Sequence, residues 1–293
     1  MTHGPTKARL SRSQPIRERM TDAPLTAART VEEWAAAYVR TESLANKLAP
    51  PTPPTEWRAD PGPAIRLSAP GRPPEFDLVT RTPRSVTRGQ MRHGRRRAQL
   101  LHTFLHHEMQ AAELMCWAIL AFPATPRAFR QGLLGICRDE IRHMQLYREH
   151  IEALGHAVAD FPVRDWFWQR VAECETPLEF VALMGMGLEG GNLDHTRRFE
   201  SWFEEVGDHA GAELQRIVGD EEVAHVRFAL HWFRTWSDDD EPRFEHWSAT
   251  LRPPLSPKMM RGHDLDHERR ARAGFPPAFL ALLAKNRHAQ DAP

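Results

Sequence analysis

From about residue 90 to residue 236, apolar residues recur at steps of three and four, the period of a helix with one packed face. Four such runs can be read. The first carries Leu101, Leu105, Glu108, Ala112, Met115, Ile119 and Phe122; the second Phe129, Leu133, Ile136, Glu140, His143, Tyr147, Ile151 and Leu154. The third carries Leu178, Ala182, Gly185, Glu189, Asn192, Thr196, Phe199 and Phe203; the fourth Leu214, Val218, Glu222, His225, Ala229, Trp232 and Trp236. The spacing predicts four long helices. Their unusual property is that acids and histidines sit inside the apolar stripes rather than opposite them.

Local signals bound these helices. Phe122-Pro123 closes the first and Pro126 opens the second. Gly155 follows the second, Thr176 and Pro177 read as N-cap and first residue of the third, Gly207 ends it, and Asp208 caps the fourth. The first and second helices, and the third and fourth, are joined by short turns and form antiparallel hairpins. Residues 156–176 are long enough to cross from one hairpin to the other, with a short helix around Trp166 to Glu173. The expected fold is all-α: a ferritin-like four-helix bundle with one long crossover. Four segments follow: a disordered tail over 1–28; an N-terminal helix and proline-rich wrap over 29–88; the bundle over 89–240; and a C-terminal extension packed on it over 241–293. The helix of the second segment opens on a capping box from Thr30 to Glu33.

The buried polar positions carry the chemistry. Asp139-Glu140-Ile141-Arg142-His143 and Asp220-Glu221-Glu222-Val223-Ala224-His225 each place a Glu and a His three residues apart, about 60° apart around a helix axis. Glu108 precedes Glu140 by 32 residues and Glu189 precedes Glu222 by 33, so each hairpin repeats one inward Glu followed by Glu-x-x-His. An ionised carboxylate loses several kcal/mol on burial. Two divalent cations would balance four of them, and this donor arrangement is the known pattern of di-iron and di-manganese bundles. Glu108, Glu140, His143, Glu189, Glu222 and His225 are therefore the candidate ligands, with the four glutamates as the catalytic carboxylates. The cofactor expected is two Fe ions, with Mn sharing the same donors. Glu140 and Glu222 would bridge, Glu108 and Glu189 would be terminal, and Asp139 and Asp220 would orient the histidines. Around Glu189 the third helix reads Gly185-Met186-Gly187-Leu188-Glu189-Gly190-Gly191. Four glycines cost a helix roughly 3–4 kcal/mol against alanine. They allow close packing, or open room for O2 or substrate beside Glu189 with a local π-bulge, or break the helix.

Composition narrows the function classes. Lys plus Arg equals Asp plus Glu at 39 each, so no global field draws the chain to nucleic acid or membrane. No apolar run approaches the ~20 residues of a membrane helix. The three cysteines, Cys116, Cys137 and Cys174, form no CxxC pair and read as buried thiols of a cytoplasmic protein. Arg92, Arg95, Arg96 and Arg97 form a basic cluster, read as a solvated face, with an anionic substrate or RNA contact as the sharper alternative.

The ligand runs, with His107-Glu108, Asp194, Ala153-Leu154-Gly155-His156, Asp160-Phe161-Pro162-Val163 and Arg272-Ala273-Gly274-Phe275, resemble a bacterial ferritin-like family catalogued as a domain of unknown function. The likeness covers roughly residues 30 to 285. It implies a non-haem di-iron bundle, distantly similar to tRNA hydroxylases. The expected activity is an O2-activating oxygenase or oxidase on a small-molecule or modified-biomolecule substrate, drawing on an external electron donor, in a monomer or homodimer. The alternatives are an iron-storage ferroxidase and a tRNA-modifying hydroxylase.

Overall fold

The structure, a computed structural model, describes residues 24–81 and 85–286. They form helices joined by irregular segments, without a β-strand; Leu78 and Val163 form an isolated bridge. The helices are α1 (Val31–Arg40), α2 (Leu44–Leu48), α3 (Gly94–Ala121), α4 (Arg127–Ala153), α5 (Trp168–Val171), α6 (Pro177–Phe180), α7 (Gly190–Glu205), α8 (His209–Ser237), α9 (Phe244–Thr250), α10 (His267–Ala273) and α11 (Pro277–Lys285). Between α6 and α7 the helix continues without a break through a π segment, Val181–Glu189. Most of the tail read as disordered lies outside the described residues. Residues 25–27 of it form a 3₁₀ turn with Leu25 buried, so folded structure begins before residue 29.

The caps form as the sequence signals require. The Thr176 side chain accepts from Glu179 N with Pro177 behind it, and Asp208 accepts from Gly211 N. Gly155 and Gly207 follow α4 and α7 in the left-handed conformation that glycine tolerates. At Thr30 the cap is half of the expected box. Its hydroxyl accepts from Glu33 N at 3.3 Å, but Glu33 reaches back one residue further, to Arg29 N, at 2.9 Å.

Helices α3 and α4 pack along their whole length as one hairpin. The π segment and α7 pack on α8 as the other, and α4 meets α8 between them. Every member of the α3 stripe from Leu101 to Phe122 is buried, as is that of α4 from Phe129 to Ile151. The outer side of α3 is buried too, because α1 lies on it with Trp34, Tyr38 and Val39 fully enclosed. No helix among the described residues is long and apolar enough to cross a membrane.

Two buried ionic knots tie the extra segments to the hairpins. In the first, Glu113 of α3 takes Lys47 at 2.6 Å and both Nη atoms of Arg72 from the proline-rich wrap. Arg72 Nε reaches Asp165 of the crossover at 2.8 Å, and Asp165 holds His106 Nε2 at 3.1 Å. The effects on the two partners differ in sense. Burial raises Glu113 but its two cations overcome that and hold it low. Burial lowers Lys47 by more than Glu113 restores. Geometry decides for the charged amine: Lys47 Nζ faces three acceptors, Tyr38 O, Val39 O and Glu113 Oε1, and only an ammonium has three protons to give. In the second knot Asp194 of α7 accepts Arg270 Nε and Nη2 at 2.9 and 2.8 Å, and the amides of Gly262 and Asp266 at 2.8 Å each. That clamps the C-terminal segment onto α7.

The glycines of the third helix make close contacts. A Cβ on Gly185 would stand 2.3 Å from Ala229 Cβ of α8, and one on Gly187 2.8 Å from Met260 Sδ. Gly190 has only contacts of 3.6 Å and beyond. Substituting alanine gains about 1 kcal/mol of helix propensity at either site, but at Gly185 the overlap forces two helices apart, at roughly 1–3 kcal/mol. G185A is expected to lower the midpoint of thermal unfolding and G190A to leave it unchanged or raise it. Equal melting of both variants would refute the packing role of Gly185.

Candidate metal centre

Six side chains converge between the hairpins. Glu108 comes from α3, Glu140 and His143 from α4, Glu189 from the end of the π segment, and Glu222 and His225 from α8. All are buried, none more than 5% exposed. Two groups of them could hold a metal ion: Glu108, Glu140, His143 and Glu222; and Glu140, Glu189 and His225. Within each group the candidate ligand atoms lie within 4.8 Å of one another, and Glu140 belongs to both. The π segment contributes to this placement. Gly190 N–H reaches back five residues to Gly185 C=O, widening the turn that carries Glu189.

Both histidines turn the same ring atom inward. His143 Nδ1 lies 3.1 Å from Glu140 Oε2, and His225 Nδ1 lies 3.2 Å from Glu222 Oε2 and 3.0 Å from Glu140 Oε1. Each outer Nε2 meets a carboxylate of the opposite helix: His143 meets Glu221 of α8 at 2.8 Å, and His225 meets Asp139 of α4 at 3.2 Å. The pairing is crosswise, and each partner stands immediately before its own helix's ligand glutamate. Glu221, not Asp220, is thus the counterpart of Asp139. Asp220 faces outward to Arg269 and Arg272, at 3.3 and 3.0 Å. The expected role of Asp139 has its geometry; that of Asp220 passes to its neighbour. Glu221 is held in turn by Arg142, and Asn192 Nδ2 donates to Glu222 Oε1 at 3.1 Å.

The cluster cannot be charged throughout on its own side chains. Burial, then repulsion by Glu140 and a hydrogen bond shared with it, push Glu108 well above the usual carboxylate range. Burial and then Glu222 do the same to Glu189. Burial works against Glu140 as well, but His225 and His143 outweigh it and hold that carboxyl below the usual range. Burial depresses His225, and Glu140 with Asp139 overcomes this and raises it well above an ordinary histidine. Glu189 is the least compensated member: both carboxyl oxygens are buried without a hydrogen-bond partner.

A cavity of about 450 Å³ ends on this cluster, touching Glu108, Glu140, Glu189 and Glu222. Gly187 and Gly191 line it, so the glycines serve both close packing and open space. His107 lines it and stacks on Phe167, with ring centroids 4.6 Å apart; burial holds this imidazole at about 3. Arg92, Arg95 and Arg96 are exposed and do not line the cavity, while Arg97 pairs with Asp208 at the start of α8. Tyr147 is a core residue whose hydroxyl is 3.5 Å from Gln215 Nε2. Asn192 could have been found from its place in the stripe one turn from Glu189, and Glu221 from its alignment with Asp139. The crossover residues that line the cavity carry no such periodic signal.

An unpartnered buried carboxyl costs about 1–3 kcal/mol, and leucine has a similar volume. E189L is expected to stabilise the metal-free chain by an amount of that order, read in chemical denaturation after exhaustive chelation. A metal-free variant less stable than the metal-free parent would show that Glu189 is a structural group.

A protein of Haemophilus influenzae described as uncharacterized is 28% identical over 148 residues, which are 48% of this chain and 51% of that relative. The chain thus spans about half the length of the curated relative it matches. No solved structure matches it. A family profile matches residues 20–281, nearly all of the described fold and every residue of the cluster, and the chain therefore belongs to the family described as "Protein of unknown function (DUF455)".

Proposed function

We propose that this chain is a ferritin-like oxidoreductase that holds two iron ions, or manganese in their place, and uses O2 to oxidise an organic substrate. The observation that carries the reading is the pair of unpartnered Glu189 oxygens at the closed end of a cavity of about 450 Å³, large enough for a small molecule. A buried carboxyl with no donor on either oxygen is a cost to the fold, and a cation that meets it would remove that cost.

The donors fit a pair of hard divalent cations: four carboxylates and two imidazoles, with no thiolate among them. His143, Glu108 and Glu222 would serve one ion, His225 and Glu189 the other, and Glu140, common to both groups, would lie between them. Two such ions bring four positive charges to four glutamates and, in the ferrous state, supply the electrons that reduce O2. The protein's part is positional. Asp139 and Glu221 hold the outer nitrogens and so aim Nδ1 of each imidazole inward. Asn192 fixes one oxygen of Glu222. Glu189, free of any hydrogen bond, can change its carboxyl orientation without breaking one.

Iron storage is the weaker reading, because the route to the cluster has no acid beyond the cluster's own glutamates to conduct a cation; its other lining residues are apolar, neutral polar, histidine or arginine. A polynucleotide substrate would call for a basic lining built from the Arg92–Arg97 cluster, whose members stand elsewhere.

Anaerobic loading with ferrous ion should give two ions per chain, and admission of air should then consume O2 rapidly. Binding of fewer than two ions, or no O2 uptake, would sink the proposal. D139N and E221Q are each expected to weaken metal binding roughly 10–100-fold, measured by competition with a chromophoric chelator, with melting of the metal-free chains unchanged. D220N, whose side chain faces away, should bind metal as the parent does.

A further inference from the structure

The cavity has a sharply divided lining. Its acids are all at the closed end, the four glutamates of the cluster. The rest of its wall holds two guanidinium groups, Arg164 and Arg198, and no carboxylate. The wall also carries four aromatic rings, Phe104, Trp166, Phe167 and Phe199, alongside the neutral side chains of Ser85, Gln99 and Thr103. If two divalent ions balance the four glutamates, the charged side chains left on the cavity wall are guanidinium groups and not carboxylates.

Arg198 is the more telling of the two cations. It is half-buried and stacks over Phe199 at 4.6 Å and Trp202 at 5.2 Å, which fixes its guanidinium by its flat face. No carboxylate among the described residues lies within ion-pair distance of it, and Asp264 acts on it only from further off, in a molecule where Arg72 and Arg270 are forked onto acids. Its Nε is buried without a partner. Asn192, His195 and Arg198 follow one another at three-residue steps along α7 and all line the cavity. Six residues of helix place Arg198 about 9 Å along the axis from Asn192, the residue that contacts Glu222.

We infer that the substrate is a small organic anion, with a carboxylate or phosphate head held by Arg198 and an apolar, aromatic-compatible body extending about 9 Å toward the cluster. A guanidinium offers such a head a charge-assisted pair of hydrogen bonds in a partly desolvated setting. The aromatic walls exclude water from the body and bring its far end, not its head, to the metal ions. This rests on the two-metal reading and adds to it the class of molecule and its direction in the cavity.

The test uses the full chain loaded with manganese under argon, its metal content measured in the same sample. The probes are 4-phenylbutanoate and 3-phenylpropyl phosphate as the two kinds of anion, with 4-phenylbutanamide as the neutral and 4-phenylbutylamine as the cationic counterpart. At least one anion is expected to bind about tenfold more tightly than the amide, and the amine least. R198Q should remove that preference, while R198K keeps most of it. In the nuclear relaxation induced by manganese, the ring para proton should relax faster than the methylene beside the anionic head. Equal binding of amide or amine, binding of neither anion, an unchanged preference in R198Q, or the fastest relaxation beside the head would each overturn the inference while leaving the oxidoreductase reading intact. The last result would mean that the head sits on the metals. A sample that takes up no metal would overturn both. Should R198Q fail to fold, R198K and the relaxation order in the parent still decide.

Discussion

Four carboxylates buried together between two helical hairpins constrain everything else in this molecule. Each ionised carboxyl so placed loses several kcal/mol of hydration. Two imidazoles stand within the cluster, and these hold Glu140 below the usual carboxylate range. Glu108 and Glu189 are pushed well above the usual carboxylate range, first by burial and then by their neighbours' charge. A fold optimised for stability alone would fill this space with leucine. The matched hairpins, the widened turn below Glu189 and the glycine contact with α8 are the means by which the helices hold it open instead.

The molecule contains other buried acids, and comparison with them shows what sets the cluster apart. Glu113 and Asp194 are as deeply enclosed as Glu140 and Glu189. Yet Glu113 receives Lys47 and two nitrogens of Arg72, and Asp194 receives four donors from Arg270 and two backbone amides. Those acids are satisfied and their work is mechanical: one binds the N-terminal helix and wrap to α3, the other binds the C-terminal segment to α7. Glu189, by contrast, has no donor on either oxygen. Burial alone does not separate these acids, whereas the count of donors at each oxygen does.

The two knots also shape the cavity. Asp165, engaged by Arg72 and His106, anchors the crossover, and Arg164, Trp166 and Phe167 beside it form one wall. Met260, whose backbone carbonyl accepts from Arg270, backs Gly187 and Gly191 on the other. Segments that lie far from the ligands in sequence thus decide what can approach them.

The six positions that cluster, the helix registers and most helix ends were legible in the chain, because each depends on residues within one or two turns of one another. A three- or four-residue step puts Glu140 and His143 on one side of α4 whatever that helix packs against, and Thr176 or Asp208 caps its own helix locally. Even the glycine run announced a departure from ordinary helix, though not whether it served packing or space; the structure has it do both. What the chain could not show is set across helices. That Asp139 supports His225 rather than His143, that Glu221 takes the role expected of Asp220, and that Arg198 looks into the cavity while Arg92 to Arg97 do not, all depend on how the hairpins, wrap and crossover are seated on one another. Those relations arise from contacts between residues tens of positions apart, and no periodicity along a single helix encodes them. Sequence alone determined which face of each long helix would turn inward; tertiary packing decided what else was buried, such as Lys47 and Glu113, and which buried groups met a partner.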